Sequence, residues 1–277
     1  MPASGYSIFT DVTSYQAKLR HMLDVLVLRS GGFHARLNWV ELPSLRLLRA
    51  EEQQPRLAYV SLPRRGIFIT FPTTRDSLLI YNGTEVRFGD IVLHSRGEDF
   101  HQRTIAATHW GCISVSPVAL TAFSKAIAGQ RLSLPVTSRI LRPLRADRMR
   151  LMREHARVGR IAEKTLHHIA HPEVARALEQ DLVCALVNCL MTGEPPEDSS
   201  DRRREAGILS KLEAVLVSDS GRVLKVSEIC NVIGVSHRTL TICCFHFLGM
   251  GPGRYLRLRR VKRKTLPLPE CELPVLP

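Results

Sequence analysis

The 277-residue chain has no run of 18 apolar residues, so no ordinary membrane-spanning helix is expected. Its opening, MPASGYSIFTDVTSY, lacks a basic patch followed by an apolar run, so no secretory signal is expected either. The seven cysteines (Cys112, Cys184, Cys189, Cys230, Cys243, Cys244 and Cys271) are odd in number and form no CxxC pair. Such usage fits a reducing compartment, with the thiols acting mostly as small buried hydrophobes. The expectation is a soluble, cytoplasmic chain without a membrane partner.

Signatures of catalysis are missing too. There is no GxSxG, P-loop or GxGxxG, and no nucleophile–base arrangement stands out. No catalytic residue is assigned, and an enzyme is not expected. His167 and His171 in HHIAH are spaced i, i+4 on a helix, but no third metal ligand is suggested nearby. GDIVLHSRGEDFH (Gly89–His101) resembles the strand–turn–strand of cupin-like domains. His94 and His101 are its only metal-capable histidines, and they lack the close His-x-His pair of metal cupins. A sensor pocket with neither metal nor cofactor is therefore preferred over a cupin-type enzyme, which would need a bound metal.

Acidic residues are scarce in one segment. The net charge is +13, and Arg202 to Lys264 holds 14 Lys/Arg against four Asp/Glu. A concentration of positive charge near the C-terminus favours a phosphate-rich partner over a generic solvated face once a motif accompanies it.

The first part of the chain reads mainly as strand. RLAYVSL, GIFITF, SLLIYNGTEVRF, DIVLHS and HWGCISVSP are short apolar runs separated by turn residues, the pattern of a sandwich or barrel. Asn82-Gly83 signals a two-residue hairpin. Before these runs, Tyr15, Leu19, Met22, Leu23 and Leu26 share one face of a predicted helix over Tyr15–Leu28. From about Val118 the period becomes helical: ALTAFSKAIAG, then Arg145–Ala170, then Pro172–Gly193. In the last, Val174, Leu178, Leu182, Ala185, Leu186 and Cys189 form an apolar stripe, more often core than an intersubunit seam. Thr192–Ala206 (TGEPPEDSSDRRREA) is the clearest linker.

Beyond the linker the spacing predicts a helix-turn-helix about Gly234. Cys230 is small where the two helices nearly touch, and Gly234 can adopt positive φ at the turn. Ile229, Ile233, Val235, Leu240 and Cys243 fall at inward offsets, and Ser236 suits the N-cap of the second helix. ILSKLEAVLV would be the preceding scaffold helix. The predicted base-facing set is Ser236, His237, Arg238, Thr241 and Ile242, with Phe245 beyond it. Arg238 can donate two hydrogen bonds to guanine, and Ile242 and Phe245 offer apolar contact such as with a thymine methyl. A further helix from about Pro252 carries Arg254, Arg257, Arg259, Arg260, Lys262, Arg263 and Lys264, with the five arginines predicted to meet the DNA backbone.

VSEICNVIGVSHRTLTICCFHFLGMGPGRYLRLRRVK (Val226–Lys262) resembles the first helix-turn-helix and connecting helix of the AraC/XylS transcription regulators. The remainder agrees in layout: a β-rich front, a helical middle and a basic end. The resemblance implies an α+β chain with a cupin-like sensor domain over 1–125, a helical linker or dimerisation segment over 126–193, and an all-α DNA-binding domain over 205–264. It implies sequence-specific binding of double-stranded DNA, a small-molecule effector and a homodimer through the helical middle. The alternative is a ligand-binding or dimerisation module whose DNA-binding end does not function.

The chain also departs from the family pattern. The family carries two reading units, whereas TLPLPECELPVLP (265–277) cannot continue the helix, so the resemblance is to a chain truncated after its first unit. Ile242 stands where a basic or polar residue is usual, and Cys244 where an aromatic core residue is. Lys225 stands where a Ser or Thr cap would, at a cost of about 1 kcal/mol.

Overall fold

The computed structural model describes residues 2–19, 22–28, 31–164, 169–195, 200–218 and 224–265. The chain divides into two compact units, Met1–Arg204 and Glu205–Pro277. Among the described residues the first holds the strands and the second is helical, so the α+β class with a β-rich front is observed.

The strands are β1 (Ala3–Phe9), β2 (Leu23–Val27), β3 (Ala35–Glu41), β4 (Leu45–Glu52), β5 (Arg56–Ser61), β6 (Ile67–Pro72), β7 (Leu79–Tyr81), β8 (Thr84–Val86), β9 (Ile91–Leu93), β10 (Asp99–Arg103), β11 (Thr108–Val115) and β12 (Arg139–Leu141). They form a seven-stranded sheet, β1-β3-β4-β11-β6-β9-β12, and a five-stranded sheet, β2-β5-β10-β7-β8. Helices α2 (Pro117–Ala128), α3 (Arg145–Lys164) and α4 (Pro172–Thr192) cover the outer face of the larger sheet.

The middle of the larger sheet is buried on both faces, which explains why β6 (IFITFP) and β9 (IVL) read as nearly unbroken apolar runs. In β4, Leu45 and Leu47 face the helices while Leu48 and Ala50 face the smaller sheet. In β11, Ile113 and Val115 take the first side, and Trp110 and Cys112 the second. The β7–β8 hairpin turns at Asn82 and Gly83, with φ of 42° and 77°, the positive pair that a type I′ turn requires. The α4 stripe is core: Leu178, Leu182, Ala185, Leu186 and Cys189 join the cluster under the helices, with Val174 at its margin. The helical middle segment thus shares one core with the strands.

Two expectations are corrected. Tyr15–Leu28 is not one helix: α1 (Val12–Lys18) is short, and Leu23–Val27 is strand β2, paired with β5. Helical spacing of Tyr15 and Leu19 was real, but Val25 and Val27 are β-branched and pair with β5 on the side opposite β10. The second half of the linker is helical too, since α5 (Ser200–Ser218) begins inside it. Its RRREA run supports helix by propensity where charge suggested only solvation.

Helices α6 (Val226–Ile233), α7 (His237–Leu248) and α8 (Pro252–Thr265) complete the second unit. Residues 266–277 of the tail, His167, His168 and Cys271 lie outside the described residues, as do residues 196–199 of the linker.

Candidate nucleic-acid interface

The turn between α6 and α7 follows from three residues. Gly234 ends α6 in the left-handed region, φ 71° and ψ 38°, and its N–H donates to the Cys230 carbonyl. Val235 donates to the same oxygen at 3.1 Å. Ser236 then caps α7, its Oγ accepting from the Thr239 N–H at 3.0 Å. At the start of α6, Lys225 has no oxygen with which to cap. Glu228 instead accepts the Lys225 N–H at 2.7 Å, half of a capping box and an offset to the missing Ser or Thr.

Inward residues lock the two helices together. Ile229, Cys230 and Ile233 of α6 and Leu240, Cys243, Cys244, Phe247 and Leu248 of α7 are buried. Cys244, fully buried, occupies the core position where an aromatic was expected, and burial pushes its thiol pKa up to about 12. It is a packing residue.

What remains outward on α7 is the predicted base-facing set. Ser236, His237 and Arg238 are exposed, Thr241 is half-buried, and Ile242 and Phe245 are 42% and 54% exposed. His237 Nδ1 lies 3.4 Å from Thr241 Oγ1, so these two address one spot together. Arg238 is exposed at the N-terminal end of the helix, as a groove-reading arginine must be.

The basic residues of α8 divide into two kinds. Arg254, Arg257 and Arg260 are exposed at three-residue spacing, a band available to phosphates. Arg260 also reaches the Leu224 carbonyl at 3.4 Å. Arg259 is different from what its neighbours suggest: its side chain is 11% exposed and its guanidinium donates to Glu213 Oε2 at 3.0 Å. Glu213, on the buried face of α5, also accepts the Tyr255 hydroxyl. This group ties α8 to α5, so Arg259 is placed in the scaffold and not on the outer face. Glu213 was legible in sequence as a carboxylate in phase with Leu209, Leu212 and Leu216, an apolar stripe that has to supply it with partners. Lys262 is half-buried, and its burial and then Arg259 pull its pKa down to about 7. The side chains of Arg263 and Lys264 lie outside the described residues.

The first unit holds a separate cavity of about 40 Å³ between its sheets. Leu23, Leu48, Val60, Phe100, Trp110 and Cys112 line it, with Thr70 and Gln102 as polar members. The polar groups beside it are already engaged. Glu52 accepts from Tyr15 Oη at 2.6 Å, Trp110 Nε1 at 2.9 Å and Arg56 Nε at 2.7 Å, and Arg56 donates to Gln102 Oε1 at 2.7 Å. His94 is fully buried between Thr70 Oγ1 and Glu98 Oε2, each at 2.8 Å, with Phe100 stacked 4.7 Å away. Among the described residues no three His, Cys, Asp or Glu side chains converge as a metal site.

No protein-family model and no curated protein matches the chain. Solved structures do. The AraC-like transcriptional activator CuxR aligns over 94% of this chain and 95% of its own, at 16% identity and a TM-score of 0.46. ToxT from Vibrio cholerae, bound to (E)-4-(8-methylnaphthalen-1-yl)but-3-enoic acid, aligns over 80% and 83%, at 12% and 0.31. An oxalate decarboxylase, OxdC of Bacillus subtilis, covers 42% of this chain and 40% of its own, at 10% and 0.24. At such identities and TM-scores the likeness is one of layout and assigns no residue its role. In layout, the chain is similar to AraC-like regulators.

Proposed function

We propose that the chain is a transcription regulator that binds double-stranded DNA through α7 and α8 and senses a small molecule in its first unit. The observation that carries this reading is the α6–Gly234–α7 turn, which leaves His237, Arg238 and Thr241 outward at the N-terminal end of α7. An α-helix presented by its N-terminal residues fits the major groove, and Arg238 matches guanine O6 and N7. Arg254, Arg257 and Arg260 supply affinity without sequence choice. At about 40 Å³ the cavity must open to admit an effector, and a lining with only Thr70 and Gln102 as polar members favours an uncharged, mostly apolar one. Entry requires the half-buried Met22, Leu62 or Phe68 to give way. A homodimer through the helical segment would draw on apolar residues there that the core leaves exposed, Ile127, Val136, Leu144, Met149 and Val174 among them.

Fluorescence anisotropy of the full chain tests the DNA reading, using promoter and scrambled duplexes across a salt series. Binding at low salt should weaken with a log–log slope of about −3, one increment for each exposed α8 arginine. The absence of binding to any duplex at low salt would overturn it. That result would favour a ligand-binding or dimerisation module with a non-functional DNA end, a reading supported by the apolar Ile242 and Phe245 on the outer face of α7.

A further inference from the structure

Ile242 has no task in the core. The inner face of α7 is filled by Leu240, Cys243, Cys244, Phe247 and Leu248, all no more than 1% exposed, while Ile242 remains 42% exposed. It follows Arg238 by one helical turn on the outer face, about 6 Å along the axis. Successive base pairs are about 3.4 Å apart. If Arg238 meets a guanine, Ile242 therefore faces the base pair about two steps away. In the major groove the one apolar feature of any base pair is the thymine C5 methyl. Cytosine N4–H, or the N7 and O6 acceptors of guanine, would lose water to an isoleucine that offers no hydrogen bond in return. A β-branched side chain on a helix is also nearly fixed in χ1, so little rotamer freedom is lost on contact.

Phe245, the other exposed apolar residue on this face, is engaged differently. Its ring edge lies 3.7 Å from where a Cβ on Gly251 would stand, so it lies against the turn joining α7 to α8. That turn needs Gly249 at φ 70°.

We infer that Ile242 is a specificity-determining residue that selects thymine, through its methyl group, about two base pairs from the guanine read by Arg238. The inference rests on the DNA-binding reading above, and the experiment separates the two. Duplexes are enriched by the full chain from a randomised pool, and the guanine whose replacement ceases to matter in Arg238→Ala is located. The thymine about two base pairs from it is then replaced by uracil, which lacks only the methyl. Loss of one methyl contact should weaken wild-type binding about three- to fivefold. Cytosine at that position should bind more tightly when replaced by 5-methylcytosine. In Ile242→Ala, which removes an exposed side chain and favours the helix, both ratios should fall to about one. A circular-dichroism melt matching the wild type confirms that the variant is folded. An Arg238-dependent guanine preference with no difference between thymine and uracil overturns the inference and leaves the DNA reading intact. A methyl preference that persists in Ile242→Ala also overturns it. Failure to enrich any duplex overturns the DNA reading and the inference together.

Discussion

Arg238 and Arg259 carry the same guanidinium into opposite surroundings. Arg238 stands in water on the outer face of α7. Arg259 is enclosed with Glu213 and has the Tyr255 ring 5.9 Å away. Desolvation and pairing make the second a scaffold element, while the first remains available to a partner. Arg238→Ala should cost about 1–3 kcal/mol on a preferred duplex and little on a scrambled one. Arg260→Ala should weaken both alike, because a phosphate contact carries no base information. Competition binding with the two duplexes separates these outcomes, and equal losses from both substitutions would contradict the roles assigned. Isolated residue types gave no warning that one arginine of a basic run would turn inward. The arginines of α8 are alike in sequence, and only the position of Glu213 on another helix distinguishes Arg259.

At the scale of elements, the packing of α6, α7 and α8 depends on one backbone conformation and one buried group. Nothing lies within 4 Å of a Cβ built on Gly234, so a side chain there meets no clash and the cost is backbone strain alone. Gly234→Val should destabilise the second unit by about 1–2 kcal/mol, and Gly234→Asn by less, since asparagine tolerates the left-handed region. Urea melts followed by far-UV circular dichroism would show the order. Glu213→Ala takes the carboxylate away from the enclosed Arg259 and from the Tyr255 hydroxyl and should cost about 3–5 kcal/mol in the same assay. Glu213→Gln keeps an acceptor for Tyr255 and should cost less. A loss under about 1 kcal/mol in Glu213→Ala would show that the group does not hold α8. The turn was legible in sequence because its signals are local: a small residue, a glycine and a Ser cap within a few positions. Strand β2 was not, because five residues of mixed apolar pattern fit helix or strand equally well until β5 is present to pair with them.

At the scale of the whole molecule, the first unit stands on a three-layer arrangement whose inner contacts include a histidine that cannot accept a proton cheaply. His155 of α3 is fully buried, with Phe71 at 5.0 Å and its Nε2 3.2 Å from the Leu48 carbonyl. Burial, and then the nearby Arg49 charge, push its pKa down to about 3 from 6.5. Between these values the unfolded chain binds a proton that the folded chain does not. Stability contributed by neutral His155 is therefore full above pH 6.5 and is lost progressively as pH falls toward 3. Thermal melts between pH 7 and 4 should show this fall, and His155→Gln should flatten it. An unchanged slope in the variant would assign the acid sensitivity to other groups. The helices that bury His155 were read from sequence as a segment apart from the strands, yet α3 and α4 complete the sheet's outer core. Their apolar stripes announced burial without saying against what.

Periodicity, turn residues and charge, all properties of neighbours along the chain, determined that this protein has a strand-rich front, helices behind it and, in its basic last part, two helices meeting at a glycine turn. The tertiary structure alone decided which strands meet, that Leu23–Val27 is a strand, that the middle helices cover the larger sheet, and that Arg259 serves Glu213. These outcomes depend on groups far apart in sequence. Pairing, burial and desolvation are energies of the assembled surroundings, and no window of neighbouring residues contains them.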